Sequence, residues 1–215
     1  GETGAYSKMK AYDLLVQAES GLAMITGHPA GPGRVGVSAC DIACGMAAHA
    51  GILEALIERG ITGKGKGLQV SLFDGMADWM NVPLLYFEGT GKAPERMGLA
   101  HPSICPYGAF ATADDVLVLI SIQNEREWAV FCDRVIGAPD LAIDERFVTN
   151  SLRVNHRQDL TAEIAKAFNA VSADEAIDRL EEAGIANARL RDLTGLVEHE
   201  TLAARNRRRQ ADSPV

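Results

Sequence analysis

The pattern of apolar residues predicts one long helix in the first half of the chain. The apolar positions recur every three or four residues and are Ile42, Met46, Ala50, Leu53 and Leu56/Ile57. Ser38 precedes this series at the place of a helix N-cap, and Asp41 then occupies the third helical position. Gly60 follows Arg59 at the place of a C-terminal glycine. We therefore expect a helix that starts after Ser38, runs to Arg59 and ends at Gly60.

Shorter segments of helical and strand-like pattern fill the rest of the chain. Helices are predicted over 12–25, 75–87, 125–136, 156–169 and 191–204, and from the capping box at Ser172 to Gly184. Strands are predicted over Leu68–Phe73, Gly108–Thr112, Val116–Ile122 and Ile185–Leu190. The face of 12–25 expected to be buried consists of Leu14, Leu15, Ala18, Leu22 and Ile25. The turn sequence Ala113-Asp114-Asp115 joins two of the strands, which indicates a β-hairpin.

These elements divide the chain into two zones. Residues 1–88 mix helices with a buried strand, and residues 104–190 hold the hairpin followed by helices. The segment 89–103 between them is rich in glycine and proline, so it is either a linker or a functional loop. Neither end of the chain carries a closing element, which indicates a piece of a longer protein.

Composition and charge narrow the function classes. The chain has 215 residues, of which 47% are hydrophobic and 23% charged, as in a soluble globular protein. A net charge of −8 argues against a nucleic-acid partner. The one basic cluster, Arg205–Arg209, has no aromatic residues within it and is interpreted as a solvated end or linker rather than a phosphate-binding patch. No apolar run long enough to span a membrane and no signal peptide is recognised, so no membrane partner is expected.

The four cysteines predict neither a metal site nor a disulfide framework. They are Cys40, Cys44, Cys105 and Cys132. They form no CxxC pair and no Cys/His cluster of zinc spacing, so no metal is expected. Reduced cysteines that pack as small apolar residues are typical of a cytoplasmic protein.

Asp41 is the candidate residue for chemistry. It is the single carboxylate in a segment of small, uncharged neighbours such as Ala39, Cys40 and Gly45, which would let a ligand approach closely. At a helix start it faces free backbone N–H groups and the positive end of the helix dipole, which favour an anion. Two interpretations stay open at this point: a helix cap without chemistry, and a nucleophile.

Taken together, these segments resemble the class III CoA-transferases, the CaiB/BaiF family. The resemblance covers nearly the whole chain and rests on AYDLLVQAESGLAMITG at 11–27, on the stretch RVGVSACDIACGM through VSLFDGM at 34–76, on HPSICPYGAFAT at 101–112 and on DERFVTNSLRVNHR at 144–157. The second stretch is the most specific. It joins an Asp, a helix of small residues, a TGxGxG turn and a strand that ends in Asp-Gly.

The resemblance implies an α/β fold with two chains interlocked as a homodimer. This chain would supply part of the large Rossmann-like domain over 1–88, a linker and active-site loop over 89–103, and the small α+β domain over 104–190. Residues 191–215 would start the return to the large domain. The N-terminal and C-terminal parts of the large domain would then lie outside this fragment.

The resemblance also implies that Asp41 is the catalytic nucleophile of a CoA transfer. Its carboxylate would attack the thioester of a donor acyl-CoA such as succinyl-CoA, and an aspartyl-CoA thioester would follow. Coenzyme A and acyl-CoA are then substrates, with a small (di)carboxylic acid as acceptor, and no cofactor is bound permanently. The transferases matched by the HPSICPYGAF stretch use acids such as succinate, mesaconate or citramalate; acyl-carnitine-like, bile-acid and oxalate/formate substrates stay open.

Five further positions are implied as substrate or CoA contacts. They are Glu2, Arg34, Leu72, Gly98 and His101. Arg34 and His101 would pair with a distal carboxylate of the acceptor, and Leu72 would touch the CoA thiol arm. Each has an ordinary alternative, such as a plain loop histidine or a packed strand leucine.

Two alternatives to CoA transfer stay open. The racemases of the same family use a Gly-His-Asp run, for which this chain has Ala11-Tyr12-Asp13. Tyrosine is a poor base near neutral pH, which favours transfer over racemisation. The other alternative is a non-catalytic fragment that only dimerises.

Overall fold

The computed structural model describes residues 3–208, so Glu2 and Arg209 lie outside the described residues. The chain forms two compact units, Gly1–Gly98 and Leu99–Val215, called the N-terminal and C-terminal units below. The division falls inside the segment 89–103. The predicted assignment of these parts to a large and a small domain stays a prediction.

The N-terminal unit consists mainly of helices. Its elements are α1 (Asp13–Glu19), α2 (Leu22–Ile25), β1 (Gly27–His28), β2 (Gly31–Pro32), α3 (Ala39–Thr62), α4 (Leu72–Trp79) and α5 (Asn81–Thr90). β1 and β2 form a short antiparallel pair. No parallel sheet occurs among residues 3–98, so the Rossmann-like assignment stays a prediction.

The segment 12–25 is two helices rather than one. Gly21 lies between α1 and α2 with φ +83°, a left-handed conformation that interrupts the helix. The predicted buried face of α1 is also wrong. Leu14 and Leu15 are exposed, whereas Asp13, Val16 and Gln17 are buried. A polar pair therefore occupies the inward face, which leucine spacing alone does not indicate.

Helix α3 forms where the apolar spacing predicts it, but it ends three residues later. Gly63, with φ +70°, ends the helix, and its N–H donates to the Arg59 carbonyl at 2.8 Å. Gly60 lies inside the last turn. A C-terminal glycine ends a helix where the chain turns left-handed, and here that residue is Gly63 rather than Gly60.

One face of α3 is strongly apolar and exposed within this chain. Met46 is 66% exposed and Ile61 82%, and only Ala39, Cys40 and Ala43 are buried. We expected no segment long and apolar enough to span a membrane. That expectation is wrong, because α3 meets both criteria, by length and composition only. Core helices of soluble proteins meet the same criterion, and the absence of a membrane partner stays a prediction.

The predicted strand Leu68–Phe73 does not form. Residues 64–71 are irregular, and Leu72 and Phe73 begin α4, capped by Ser71, whose hydroxyl accepts from the Asp74 N–H at 3.3 Å. A strand exists only when another strand pairs with it, and none does so in the described part of the N-terminal unit. The predicted helix 75–87 is interrupted at Met80, which separates α4 from α5.

A small apolar cluster joins α1, α3 and α4. Its buried members are Val16, Ala39, Cys40, Ala43 and Met76, with Leu22, Val35 and Leu72 packed against them. This cluster fixes the N-terminal turn of α3 against α1 and α4.

The C-terminal unit is a three-stranded sheet covered by helices. Its elements are β3 (Tyr107–Ala111), β4 (Leu117–Ser121), α6 (Glu125–Val130), a π-helix (Phe131–Ile136), a 3₁₀-helix (Pro139–Ala142), α7 (Asn150–Asn155), α8 (Arg157–Phe168), α9 (Ala173–Glu182), β5 (Ala186–Arg189), α10 (Leu193–Val197) and α11 (Glu200–Ala204). The predicted hairpin is confirmed as β3 and β4. β5 adds to β4, also antiparallel.

Local signals place most helices of this unit correctly. The predicted cap is present at α9, where the Ser172 hydroxyl accepts from the Glu175 N–H at 3.3 Å, and Gly184 follows with φ +68°. The predicted helix 125–136 continues from α6 into the π-helix, and 191–204 is two short helices rather than one. In the core, aromatic rings of β3, the π-helix and α8 meet at centroid distances of 5.5 and 6.5 Å; they belong to Phe110, Phe131 and Phe168.

Candidate functional site

Asp41 lies in the first turn of α3 with its side chain exposed. Ser38 is the N-cap residue, as predicted, although its side chain makes no capping hydrogen bond. The Asp41 carboxylate has no hydrogen-bond or ion-pair partner within residues 3–208. It therefore sits at the positive end of a 24-residue helix without being tied to the helix backbone.

The cap of α3 comes from Asp13 in α1. Oδ1 of Asp13 accepts the backbone N–H of Cys40 at 2.9 Å. Oδ2 of Asp13 accepts a hydrogen bond from Nε2 of Gln17 at 2.8 Å. Oε1 of Gln17 in turn accepts a hydrogen bond from the Val35 N–H at 2.9 Å. Asp13 and Gln17 are both buried. This network was missed in the sequence, although two polar residues four apart on the face of Val16 were a usable signal.

Cys40 is an inert thiol beside this network. Burial raises its pKa to about 11, and the negative charges of Asp13 and Asp41 act in the same direction. The protonated thiol therefore persists at neutral pH and offers no competing nucleophile next to Asp41.

Arg34 and Leu72 lie close to the start of α3. The guanidinium of Arg34 is 3.8 Å from Oδ2 of Asp13, its Nε donates to the Val35 carbonyl, and the side chain is about half exposed (49%). Leu72 packs against the apolar cluster that holds Cys40. The structure thus brings Asp41, Arg34 and Leu72 to one region, with Leu72 serving as a packing residue there.

Gly98 lies against the β1–β2 turn. Its φ is +60°, its N–H donates to the Gly27 carbonyl at 2.9 Å, and an added Cβ would contact Cδ2 of His28 at 3.5 Å. Arg96 reinforces the contact by donating to the carbonyls of His28 and Met24. The backbone at Gly98 is therefore held by residues of the N-terminal unit.

His101 belongs to the C-terminal unit. Its ring stacks on Tyr107 with a centroid distance of 5.3 Å. Nδ1 accepts the Ser103 N–H at 3.2 Å, so the neutral ring carries its proton on Nε2. That N–H is a donor available to an acceptor such as a carboxylate.

The loop that carries His101 is held by helices α7 and α8. Arg157 donates to the carbonyls of His101 and Pro102, at 2.8 and 3.3 Å. Asn150 donates to the Ser103 carbonyl and accepts from the Cys105 N–H. The loop conformation is therefore set by residues 45 to 56 positions downstream, which no local pattern could reveal.

Two further expectations concern Glu2 and metal binding. Glu2 lies outside the described residues. Within residues 3–208 no group of His, Cys, Asp and Glu could hold a metal ion.

Comparisons with known proteins agree with one another. The family model described as CoA-transferase family III matches residues 1–215. The acetyl-CoA:oxalate CoA-transferase of Acetobacter aceti is 39% identical over 208 residues, which is 96% of this chain and 53% of that protein. The succinyl-CoA:glutarate CoA-transferase of Mus musculus is 38% identical over 170 residues, 78% of this chain and 38% of that protein.

A solved structure shows the same fold. A CaiB/BaiF family protein from Brucella suis superposes with a TM-score of 0.82 at 32% identity, covering 95% of this chain and 54% of that one. The chain thus spans about half the length of the relatives it matches. A match to the family model along its full length shows that this chain belongs to CoA-transferase family III.

Proposed function

We propose that the protein containing this chain transfers coenzyme A from an acyl-CoA donor to a small carboxylic acid, with Asp41 as nucleophile. The observation that carries the proposal is that the first turn of α3 is capped by Asp13, while Asp41 in the same turn is exposed. Asp13 accepts the Cys40 N–H, so the capping bond that an N-cap side chain would make comes from α1, and the Asp41 side chain makes no hydrogen bond to the helix backbone in the described residues. The exposed Asp41 carboxylate, unpartnered within the described residues, is left available for attack.

The reaction proceeds through covalent aspartyl intermediates. An Asp41 oxygen attacks the donor thioester carbonyl, and the C–S bond breaks to give an acyl-aspartyl anhydride and CoA thiolate. The thiolate attacks the aspartyl carbonyl and releases the donor acid, leaving an aspartyl-CoA thioester. The acceptor carboxylate then attacks this thioester, and the expelled thiolate takes the acceptor acyl group, which frees Asp41.

The chemistry requires an anion and a site that excludes water. The N-terminus of α3 stabilises the aspartate and the oxyanions that form on it. No proton moves in these steps, since each nucleophile and each leaving group is an anion. Water would hydrolyse the anhydride, so closure around Asp41 is part of the proposal.

The acceptor is proposed to be a small dicarboxylic acid. The relatives named above are oxalate and glutarate transferases, and both acceptors carry a second carboxylate. Arg34, which is half exposed, and His101, through its Nε2–H, are each proposed as a contact for a substrate carboxylate. Gly98 and Leu72 are proposed to shape the path of the CoA arm, and Glu2 to contact substrate.

The rest of the assembly is also a proposal. We expect the remaining half of the protein to complete a Rossmann-like large domain, with residues 191–215 returning to it, and two chains to interlock as a cytoplasmic homodimer. The exposed apolar face of α3 supports further protein covering it. No permanently bound cofactor, metal, membrane or nucleic acid is proposed.

Trapping the intermediate tests this function in the full-length protein. Incubation with acetyl-CoA or succinyl-CoA followed by hydroxylamine should convert Asp41 to its hydroxamate, seen by peptide mass spectrometry. Asp74 is a matched control, because it is an exposed Asp in the first turn of α4. Equal modification of both residues, or of neither, refutes the proposal. Exchange of the donor's α-proton with solvent without a hydroxamate supports the racemase alternative.

A further inference from the structure

We infer that Asp13 and Gln17 are positioning residues that orient the first turn of α3 and hence the Asp41 carboxylate. The inference rests on the proposed function of Asp41. Asp13 is 9% exposed and Gln17 fully buried, and neither can reach solvent-borne substrate. Their side-chain oxygens accept hydrogen bonds from the backbone of the segment that leads to Asp41, at Val35 and Cys40.

The direction of each hydrogen bond in this network is fixed by chemistry. The Val35 and Cys40 N–H groups only donate, so they require acceptors. Gln17 therefore presents Oε1 to Val35 and must turn its donating Nε2 toward Asp13. Both oxygens of Asp13 must then accept. An ionised carboxylate at this position meets the requirement, whereas an amide or a protonated acid does not.

The network controls where Asp41 points. Cys40 directly precedes Asp41 and is wholly buried, so its N–H bond to Asp13 and its packed side chain fix the helical turn on the inward side. Asp41 follows directly on the exposed side of the same turn. Loosening the inward side lets the turn rotate or fray, and small displacements of a nucleophile lower its rate steeply.

Arg34 completes the charge balance of the network. Its guanidinium lies 3.8 Å from Oδ2 of Asp13 and partly offsets the buried negative charge. Because Arg34 directly precedes Val35, the same backbone segment carries both the cation and the N–H that Gln17 accepts. The carboxylate, the amide and the guanidinium therefore act as one unit between α1 and the start of α3.

Exchanging the acid and the amide between positions 13 and 17 tests the direction of these hydrogen bonds in the full-length protein. In Asp13→Asn, the amide nitrogen of the new side chain faces Nε2 of Gln17, so two hydrogen-bond donors meet. In Gln17→Glu, the new carboxylate faces the carboxylate of Asp13, so two acceptors of like charge meet. Combining Asp13→Asn with Gln17→Glu restores the three hydrogen bonds of the network, because the introduced amide still accepts from Cys40 and the introduced glutamate accepts from Val35 and from the introduced amide. The negative charge then lies at position 17 instead of position 13. We expect each single variant to lower kcat by roughly 10- to 100-fold with little change in KM, and the pair to recover most of it.

Melting temperature separates this inference from the proposed function. Each single variant should melt several degrees lower than wild type, and the pair should recover that loss even if Asp41 proves not to be the nucleophile. Failure of wild type to form the Asp41 hydroxamate refutes the function alone. A folded Asp13→Asn with unchanged kcat, or a pair that neither folds nor regains kcat, overturns the positioning role.

Discussion

The Cys40 N–H donates to Oδ1 of Asp13 at 2.9 Å, across 27 positions of sequence. The first turn of α3 is therefore capped by a carboxylate from another helix. An Asp at the third position of a helix normally finds its role in that helix's own capping. Here Asp13 makes the bond expected of the N-cap side chain, and Asp41 faces outward without a partner among residues 3–208.

Asp41→Asn should abolish transfer while leaving the fold intact. The amide is a poor nucleophile and forms no anhydride, so kcat should fall by roughly 10³-fold or more. The side chain makes no bond within the described chain, so we expect the melting temperature to stay close to that of wild type. Steady-state assay of the full-length protein and thermal unfolding measure the two effects.

Asp74→Asn is the control for that substitution. Asp74 occupies the same helical position in α4 and is also exposed. It should keep kcat within about twofold, as surface changes away from a site do. Comparable losses in both variants would show that first-turn charge, rather than a nucleophile in α3, supports activity.

Phe168→Ala should destabilise the C-terminal unit strongly. Its ring is buried against Phe110 and Phe131. Removing it leaves a cavity beneath the sheet, which costs about 3–5 kcal/mol in the free energy of unfolding. Urea unfolding measures the loss. Leu193→Ala serves as control, because Leu193 is 79% exposed and should change stability by less than about 0.5 kcal/mol.

The features that sequence predicted correctly depend on neighbours within a few residues. The β3–β4 hairpin follows from alternation around a short turn, and α9 follows from Ser172 and Gly184. Apolar spacing likewise located α3 and placed Asp41 in its first turn. These signals are local, so a single sequence contains them in full.

The features that were missed or wrong depend on partners far along the chain. The strand predicted at Leu68–Phe73 needs a pairing strand that the described unit does not supply. Asp13 caps a helix 27 positions away, and Arg157 holds a loop 56 positions upstream. Such contacts follow from the three-dimensional path of the chain, which helix and strand periodicity do not encode.

Removing Cys40 should flatten the dependence of stability on alkaline pH. Its folded pKa is raised to about 11 from an ordinary value of 9.0, mainly by burial. The folded state then holds a proton that the unfolded state has lost, so stability is full below about pH 9 and falls as the pH rises toward about 11. The slope reaches at most about 1.4 kcal/mol per pH unit. Urea unfolding of Cys40→Ala and wild type across this pH window measures it.

Cys132 provides the comparison for that titration. Burial raises its pKa to about 12, so it contributes a similar loss in the C-terminal unit. Cys132→Ala should therefore remove a second part of the same alkaline decline. If neither variant alters the slope relative to wild type, both thiols are more accessible than the structure describes.

Arg157→Met should loosen the loop that carries His101. Its guanidinium donates to the carbonyls of His101, Pro102 and Ile104, and methionine keeps the bulk while removing all three bonds. Hydrogen exchange in the peptide spanning these residues should accelerate severalfold, because the loop amides open more often. The other amides of the C-terminal unit should keep their protection.

Arg126→Met is the matched control for the loop. Arg126 is an exposed arginine of α6 with no partner within residues 3–208. It should leave hydrogen exchange in the loop unchanged.

If His101 binds the acceptor, Arg157→Met should also raise KM for the acceptor acid more than KM for the donor, since only the histidine's placement is disturbed. Faster loop exchange with both KM values unchanged would remove His101 from the substrate site while leaving its structural clamp in place.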